Sequence, residues 1–129
     1  MRYILVLSVI MAGFISTSAQ TKTVETKTIK TPNALCADCK VRIESYLKRY
    51  DGVTFINVNY RKGETTVKYL TDRIDIEQIK TAISNAGYDA DDVPANEDAY
   101  KRLPKTCKKY EDGGGHPKPK TPPATPPSQ

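Results

Sequence analysis

Two apolar stripes at helical spacing bracket a pair of alternating runs, and that order leaves few folds open. From Cys39 the apolar residues Ile43, Tyr46, Leu47 and Tyr50 recur at i, i+3, i+4 and i+7, the period of a helix with one buried face. Asp51-Gly52 stops it, Gly52 suiting the left-handed position past a helix end. Thr54, Ile56, Val58 and Tyr60 then alternate with Phe55, Asn57 and Asn59. After a turn at Arg61-Lys62-Gly63-Glu64, Thr65, Val67 and Tyr69 alternate with Thr66, Lys68 and Leu70, so the two runs read as an antiparallel hairpin. Asp75 and Gln78 have the spacing of a capping box ahead of a second stripe, Ile76, Ile79, Ile83 and Ala86, which Gly87 closes.

A Thr-rich run with Val24 and Ile29 from Thr21 to Thr31 predicts a strand before the first helix, broken by Pro32-Asn33. Tyr88 to Val93 predicts a short final strand before Pro94. The order βαββαβ predicts an α+β, ferredoxin-like sandwich: a four-stranded antiparallel sheet with two helices on one face. With 129 residues, 38% of them hydrophobic and no Trp, the chain has room for one small domain and little room for a deep pocket.

The two ends read differently from the middle. Arg2, an apolar run from Tyr3 to Ile15 and small residues up to Ala19 have the layout of a cleavable signal peptide over residues 1–19, which predicts a periplasmic or secreted protein. A run of that length is short of the roughly 20 apolar residues that span a bilayer. Beyond Pro94, residues 94–110 predict an extension with a short helix, Ala99, Tyr100 and Leu103 sharing a face. Residues 111–129, rich in Gly, Pro and Lys, predict a disordered tail. The mature chain carries 19 Lys+Arg against 15 Asp+Glu, interspersed, with no basic helix or aromatic platform, so a nucleic-acid partner is not expected.

Chemistry concentrates at Cys36-Ala37-Asp38-Cys39, where the first strand hands over to the first helix. Two intervening residues let both sulfurs face one point, and the unpaired N–H groups of a helix start favour the thiolate. Thiolates bind soft metals, and a site of two or three of them suits Cu(I). The same spacing serves thiol–disulfide exchange, and an oxidising compartment allows a plain structural disulfide. In that compartment the pair can rest oxidised, which blocks metal until it is reduced.

Asn33 to Asp91, opening on NALCADC and closing on NAGYDAD, resembles the heavy-metal-associated domain, the family of copper chaperones, metal-pump modules and an exported mercury scavenger. The resemblance covers the CxxC, the Ile43/Leu47 stripe, Gly52-Val53, Ile56-Val58, Ile79/Ile83 and Gly87-Tyr88, within a domain expected over residues 20–93. Asn33-Ala34-Leu35 stand where the family usually has Gly-Met-Thr. The resemblance implies that Cys36 and Cys39 bind a soft ion, Cu(I) first, with Hg(II) or Zn(II) as alternatives. It implies an exposed, low-coordinate site that exchanges the ion with a metal-transporting membrane protein or another thiol-bearing donor or acceptor. Tyr88 matches the loop position that packs beside the metal in the family.

Asp38 either adds negative charge or an oxygen donor that favours a divalent ion, or is an exposed residue supporting the helix N-terminus. Cys107 is the odd thiol: a candidate third thiolate, an intermolecular disulfide partner, or a free group. His116, alone in the Gly/Pro-rich tail, is expected to be solvated and without a role. Catalysis is not expected, because no His is placed near a thiol and no phosphate loop or HExxH pattern occurs. The chain is expected to be a monomer.

Overall fold

The computed structural model describes residues 23–116, so the expected export segment at 1–19 and the proline-rich stretch from Pro117 to Pro127 lie outside it. The elements run β1 (Val24–Lys30), α1 (Ala37–Leu47), β2 (Val53–Asn59), β3 (Glu64–Leu70), α2 (Ile76–Asn85) and α3 (Glu97–Lys101), followed by two 3-10 turns at Lys105–Cys107 and Tyr110–Asp112. β3 is the central strand of the order β1-β3-β2. It pairs antiparallel with β1 from Val24↔Leu70 to Lys30↔Glu64, and with β2 from Val53↔Tyr69 to Asn59↔Glu64 around a bulge between Val53 and Phe55.

α1 and α2 bury their stripes against the sheet. Ile43 and Leu47 of α1 and Ile79 and Ile83 of α2 are fully buried with Ile29, Val58 and Val67 of the strands. Each such side chain withdrawn from water contributes about 1.5–3 kcal/mol before conformational costs are counted. The expected capping box is present: Asp75 Oδ1 accepts from the Gln78 amide at 2.8 Å, and Gln78 Oε1 accepts from the Asp75 amide at 3.1 Å. No helix among the described residues is long and apolar enough to cross a membrane.

The expected fourth strand is not formed among the described residues. From Tyr88 to Val93 there is a single isolated bridge, Ala90↔Val93. Asp91 adopts a left-handed φ of 52°, which turns the chain away from extended geometry. Asp is a poor strand former, and Pro94 cannot donate to a ladder. The segment still lies along the β1 edge, because the Asp91 amide donates to the Lys30 carbonyl at 2.9 Å while Asp91 Oδ1 accepts from the Lys30 amide at 2.8 Å. A turn, where a strand was expected, thus lies against the β1 edge.

The chain continues past this turn as a packed strap over residues 94–116. The Ser84 hydroxyl donates to the Pro94 carbonyl at 2.6 Å, and the Asn96 amide donates to the Ser84 carbonyl at 3.0 Å. Asn96 caps α3 through Oδ1 and the Ala99 amide, 3.0 Å. Ala99 and Leu103 then seat on Gly87, whose φ of +99° excludes most side chains and where a Cβ would lie 3.1 Å from Leu103. Residues 111–116, expected to belong to the tail, are thus part of the packed strap, and His116 is buried.

Candidate metal centre

The loop from Thr31 to Cys36 delivers the first cysteine to the start of α1. The Thr31 amide donates to the Gly63 carbonyl at 2.7 Å, the Ala34 amide closes a turn onto the Thr31 carbonyl at 3.0 Å, and the Thr31 and Thr65 hydroxyls meet at 3.0 Å. Asn33, buried, accepts from the Asp89 amide at 2.8 Å through Oδ1 and so ties this loop to the turn after α2. Cys36 is the N-cap of α1, its Sγ accepting from the Cys39 amide at 3.1 Å. A sulfur in that position lies where the helix end stabilises negative charge.

Cys36 and Cys39 are joined in a disulfide with a Cα separation of 5.1 Å. Cys107, buried and unbonded, places its Sγ 3.4 Å from Cys36 Sγ. The three sulfurs lie within 4.8 Å of one another. Pro104 starts the 3-10 turn that presents Cys107, the Cys107 amide donating to the Pro104 carbonyl at 2.9 Å. Thr106 Oγ1 donates to Asp38 Oδ2 at 3.4 Å, so the exposed Asp38 carboxylate links the strap to the CxxC loop and is not one of the donor atoms gathered with the three sulfurs.

Tyr88 is fully buried against this cluster. Its hydroxyl has no hydrogen-bond partner, and burial together with the neighbouring Cys107 thiol pushes its pKa far above the ordinary tyrosine value. It is an unspent donor beside three sulfurs.

His116 departs most from expectation. It is 4% exposed, and its Nε2 lies 3.4 Å from Cys39 Sγ. Burial lowers its pKa, favouring the neutral imidazole, and Nδ1 has no partner. The Gly114 amide donates to the Lys109 carbonyl at 2.9 Å and the Gly115 amide to the Lys105 carbonyl at 2.8 Å, folding the chain back onto the Cys107 turn. A Cβ on Gly114 would collide with the Lys108 carbonyl, so the close return depends on glycine. The premise that no His stands near a thiol is thereby overturned.

The expectation of an open site also needs correction. Cys39 and Cys107 are fully buried and Cys36 is half-buried, because the strap folds over the sulfurs. A cleft of about 230 Å³ opens beside His116, lined by Pro32, Asn33, Leu35, Asp89, Lys109 and Tyr110 among others. Cys36, Cys39, Cys107, Tyr88 and His116 are thus brought together, and Asp38 is set at the margin.

Residues 28–89 match the profile of the heavy-metal-associated domain. The copper chaperone CopZ of Staphylococcus aureus is 41% identical over 54 residues, which are 42% of this chain and 79% of that protein. The N-terminal domain of a potential copper-translocating P-type ATPase from Bacillus subtilis, solved Cu(I)-loaded, superposes with a TM-score of 0.51 at 28% identity over 54% of this chain and 86% of that one. Oxidised MerP from Ralstonia metallidurans CH34 shares the fold, with a TM-score of 0.51 at 19% identity over 53% of this chain and 94% of that one. The strap that carries Cys107 and His116 lies beyond the matched profile, whereas Cys36 and Cys39 lie inside it. This chain belongs to the heavy-metal-associated domain family.

Proposed function

We propose that the protein is an exported carrier or scavenger of a thiophilic metal ion, gripped by the thiolates of Cys36 and Cys39. The observation that carries the reading is their meeting at the N-terminus of α1, where Cys36 Sγ already accepts the Cys39 amide. Cu(I) is the first ion on this reading, supported by the copper chaperone among the relatives, with Hg(II) and Zn(II) in the same soft class.

Loading starts from the disulfide. An external dithiol attacks one sulfur, forms a mixed disulfide and resolves it with its second thiol. Cys36 and Cys39 gain two electrons and two protons, and the dithiol leaves oxidised. The freed thiols lose protons as the ion binds. Handover then proceeds through mixed-ligand intermediates, an incoming thiolate binding before an outgoing one leaves. A metal-transporting membrane protein is the acceptor we propose, supported by the likeness to an ATPase domain. Export is supported by the layout of residues 1–19 and by the disulfide itself.

Native mass spectrometry of the reduced chain with Cu(I), Hg(II) and Zn(II) tests the reading. A single ion per chain is expected, absent after replacement of both Cys36 and Cys39 by Ser. Binding that survives the double replacement would show the site to be elsewhere.

A second reading, thiol–disulfide exchange, is favoured by one observation: the Cys107 thiol stands 3.4 Å from a bonded sulfur, with His116 beside the other. Attack of the Cys107 thiolate on Cys36 Sγ would form Cys36–Cys107 and release Cys39 as thiolate, a balanced isomerisation. That chemistry predicts insulin reduction by the dithiol form. The carrier reading predicts none.

A further inference from the structure

The strap brings two donor atoms to the CxxC sulfurs from outside the family's matched segment. Cys107 Sγ lies 3.4 Å from Cys36 Sγ, and His116 Nε2 lies 3.4 Å from Cys39 Sγ. Both residues are buried, and His116 makes no other polar contact, its Nδ1 being unpartnered. A buried imidazole without a hydrogen bond on either nitrogen other than a sulfur contact is costly unless something at the site uses its lone pair. The Tyr88 hydroxyl is a second buried polar group without a partner, and it too adjoins the cluster.

These spacings fit one ion. For M–S near 2.3 Å and M–N near 2.0–2.1 Å, tetrahedral geometry sets neighbouring donors about 3.5–3.8 Å apart. The two strap contacts fall within a few tenths of an ångström of that, and the three sulfurs already lie within 4.8 Å of one another, so the centre closes when reduction parts Cys36 from Cys39 and His116 moves inward from its contact with Cys39. We propose that, in the reduced protein, Cys36, Cys39, Cys107 and His116 form a closed four-donor centre, and that the 94–116 strap is its ligand-bearing cap. The proposal rests on the reading of Cys36 and Cys39 as metal thiolates and adds two donors to it.

Charge selects the class of ion. Three thiolates with a neutral imidazole exceed a divalent ion by one negative charge and Cu(I) by two, and burial penalises the larger excess. The helix N-terminus and the Tyr88 hydroxyl offset one excess charge more readily than two. With the strap closed, the centre suits a tetrahedral divalent ion of the Zn(II) class and retains it. Handover through the CxxC pair requires the strap to lift.

X-ray absorption of the reduced full chain loaded with Zn(II) counts the donors without any substitution. Three sulfurs and one nitrogen are expected, with the intense visible bands of tetrahedral thiolate-bound Co(II) on substitution of that probe. Cys107→Ser and His116→Ala are each expected to weaken Zn(II) binding by more than the roughly 10–100-fold that losing a mere supporting partner costs. Each should also alter the Co(II) spectrum. Two sulfurs completed by water oxygens, with both variants binding Zn(II) as the parent does, would overturn the four-donor centre and leave the CxxC reading standing. Failure of the reduced parent chain to bind Zn(II), Cu(I) or Hg(II) would overturn both.

Discussion

At the scale of single residues, the site is built from groups whose ordinary partners are missing. Tyr88 presents a buried hydroxyl that nothing satisfies. In the oxidised protein Tyr88→Phe removes an uncompensated polar atom, so stability should stay level or rise by up to about 1 kcal/mol in urea unfolding. In the reduced, metal-loaded protein the same change should weaken binding by about 10–100-fold, because the hydroxyl then has thiolates to donate to. The opposite pattern, a less stable oxidised protein with undiminished affinity, would place the hydroxyl outside the site's chemistry. His116 escaped sequence reasoning for a physical reason. A Gly/Pro-rich composition signals an unburied chain, yet consecutive glycines also permit the tight return that carries His116 to Cys39. The signal that could have found it is Gly113-Gly114-Gly115 placed directly between the 3-10 turn at Tyr110–Asp112 and the only His.

At the scale of elements, periodic apolar residues and capping chemistry made α1, α2 and the β2–β3 hairpin legible, since burial and local hydrogen bonds both act within a few residues. The CxxC at the head of α1 was legible on the same grounds. The missing fourth strand was not, because pairing is decided by what lies across the sheet, and Asp91 instead satisfies the β1 edge with its own carboxylate from a left-handed turn. Gly87 joins α2 to the strap, so Gly87→Ala should cost about 1–2 kcal/mol from its positive φ alone and loosen α3, read as a lowered denaturation midpoint. An unchanged midpoint would mean that Leu103 and Ala99 do not seat as described.

The strand pair β1–β3 carries its own pH signature. Tyr69 donates to Glu25 Oε2 at 2.9 Å, and burial followed by that hydrogen bond raises its pKa from 10.0 to about 12. The folded value lies above the unfolded one. The contribution is therefore fully present below pH 10.0 and is lost as pH climbs through about 12. Stability should fall across that window, tyrosinate absorbance should show one late-ionising tyrosine in the folded protein, and Tyr69→Phe should abolish that part of the slope. A slope that Tyr69→Phe leaves intact would assign it to another group.

Across the whole molecule, a βαββ-α core of the heavy-metal-associated domain family supports the cysteine loop, and a strap outside the matched segment encloses it. The two parts differ in how they are held. The sheet and helices share one apolar cluster, whereas much of the strap beyond Leu103 is fastened by polar contacts such as Tyr100 to Asp112 at 2.6 Å and Lys109 to Asp89 at 3.5 Å. Local opening should therefore begin in the strap. Amide exchange over residues 104–116 is expected to run faster than over β3 in the oxidised protein, and to slow on reduction and loading with Zn(II). Exchange there that is indifferent to metal would separate the strap from the centre.

The most direct test of the central claim compares one chain in its two redox states, with no substitution at all. Equilibrium dialysis against a small excess of a thiophilic ion should find a single ion on each reduced chain and none on the disulfide form. Equal uptake by both forms, or none by the reduced form, would contradict the assignment of Cys36 and Cys39 as the gripping thiolates.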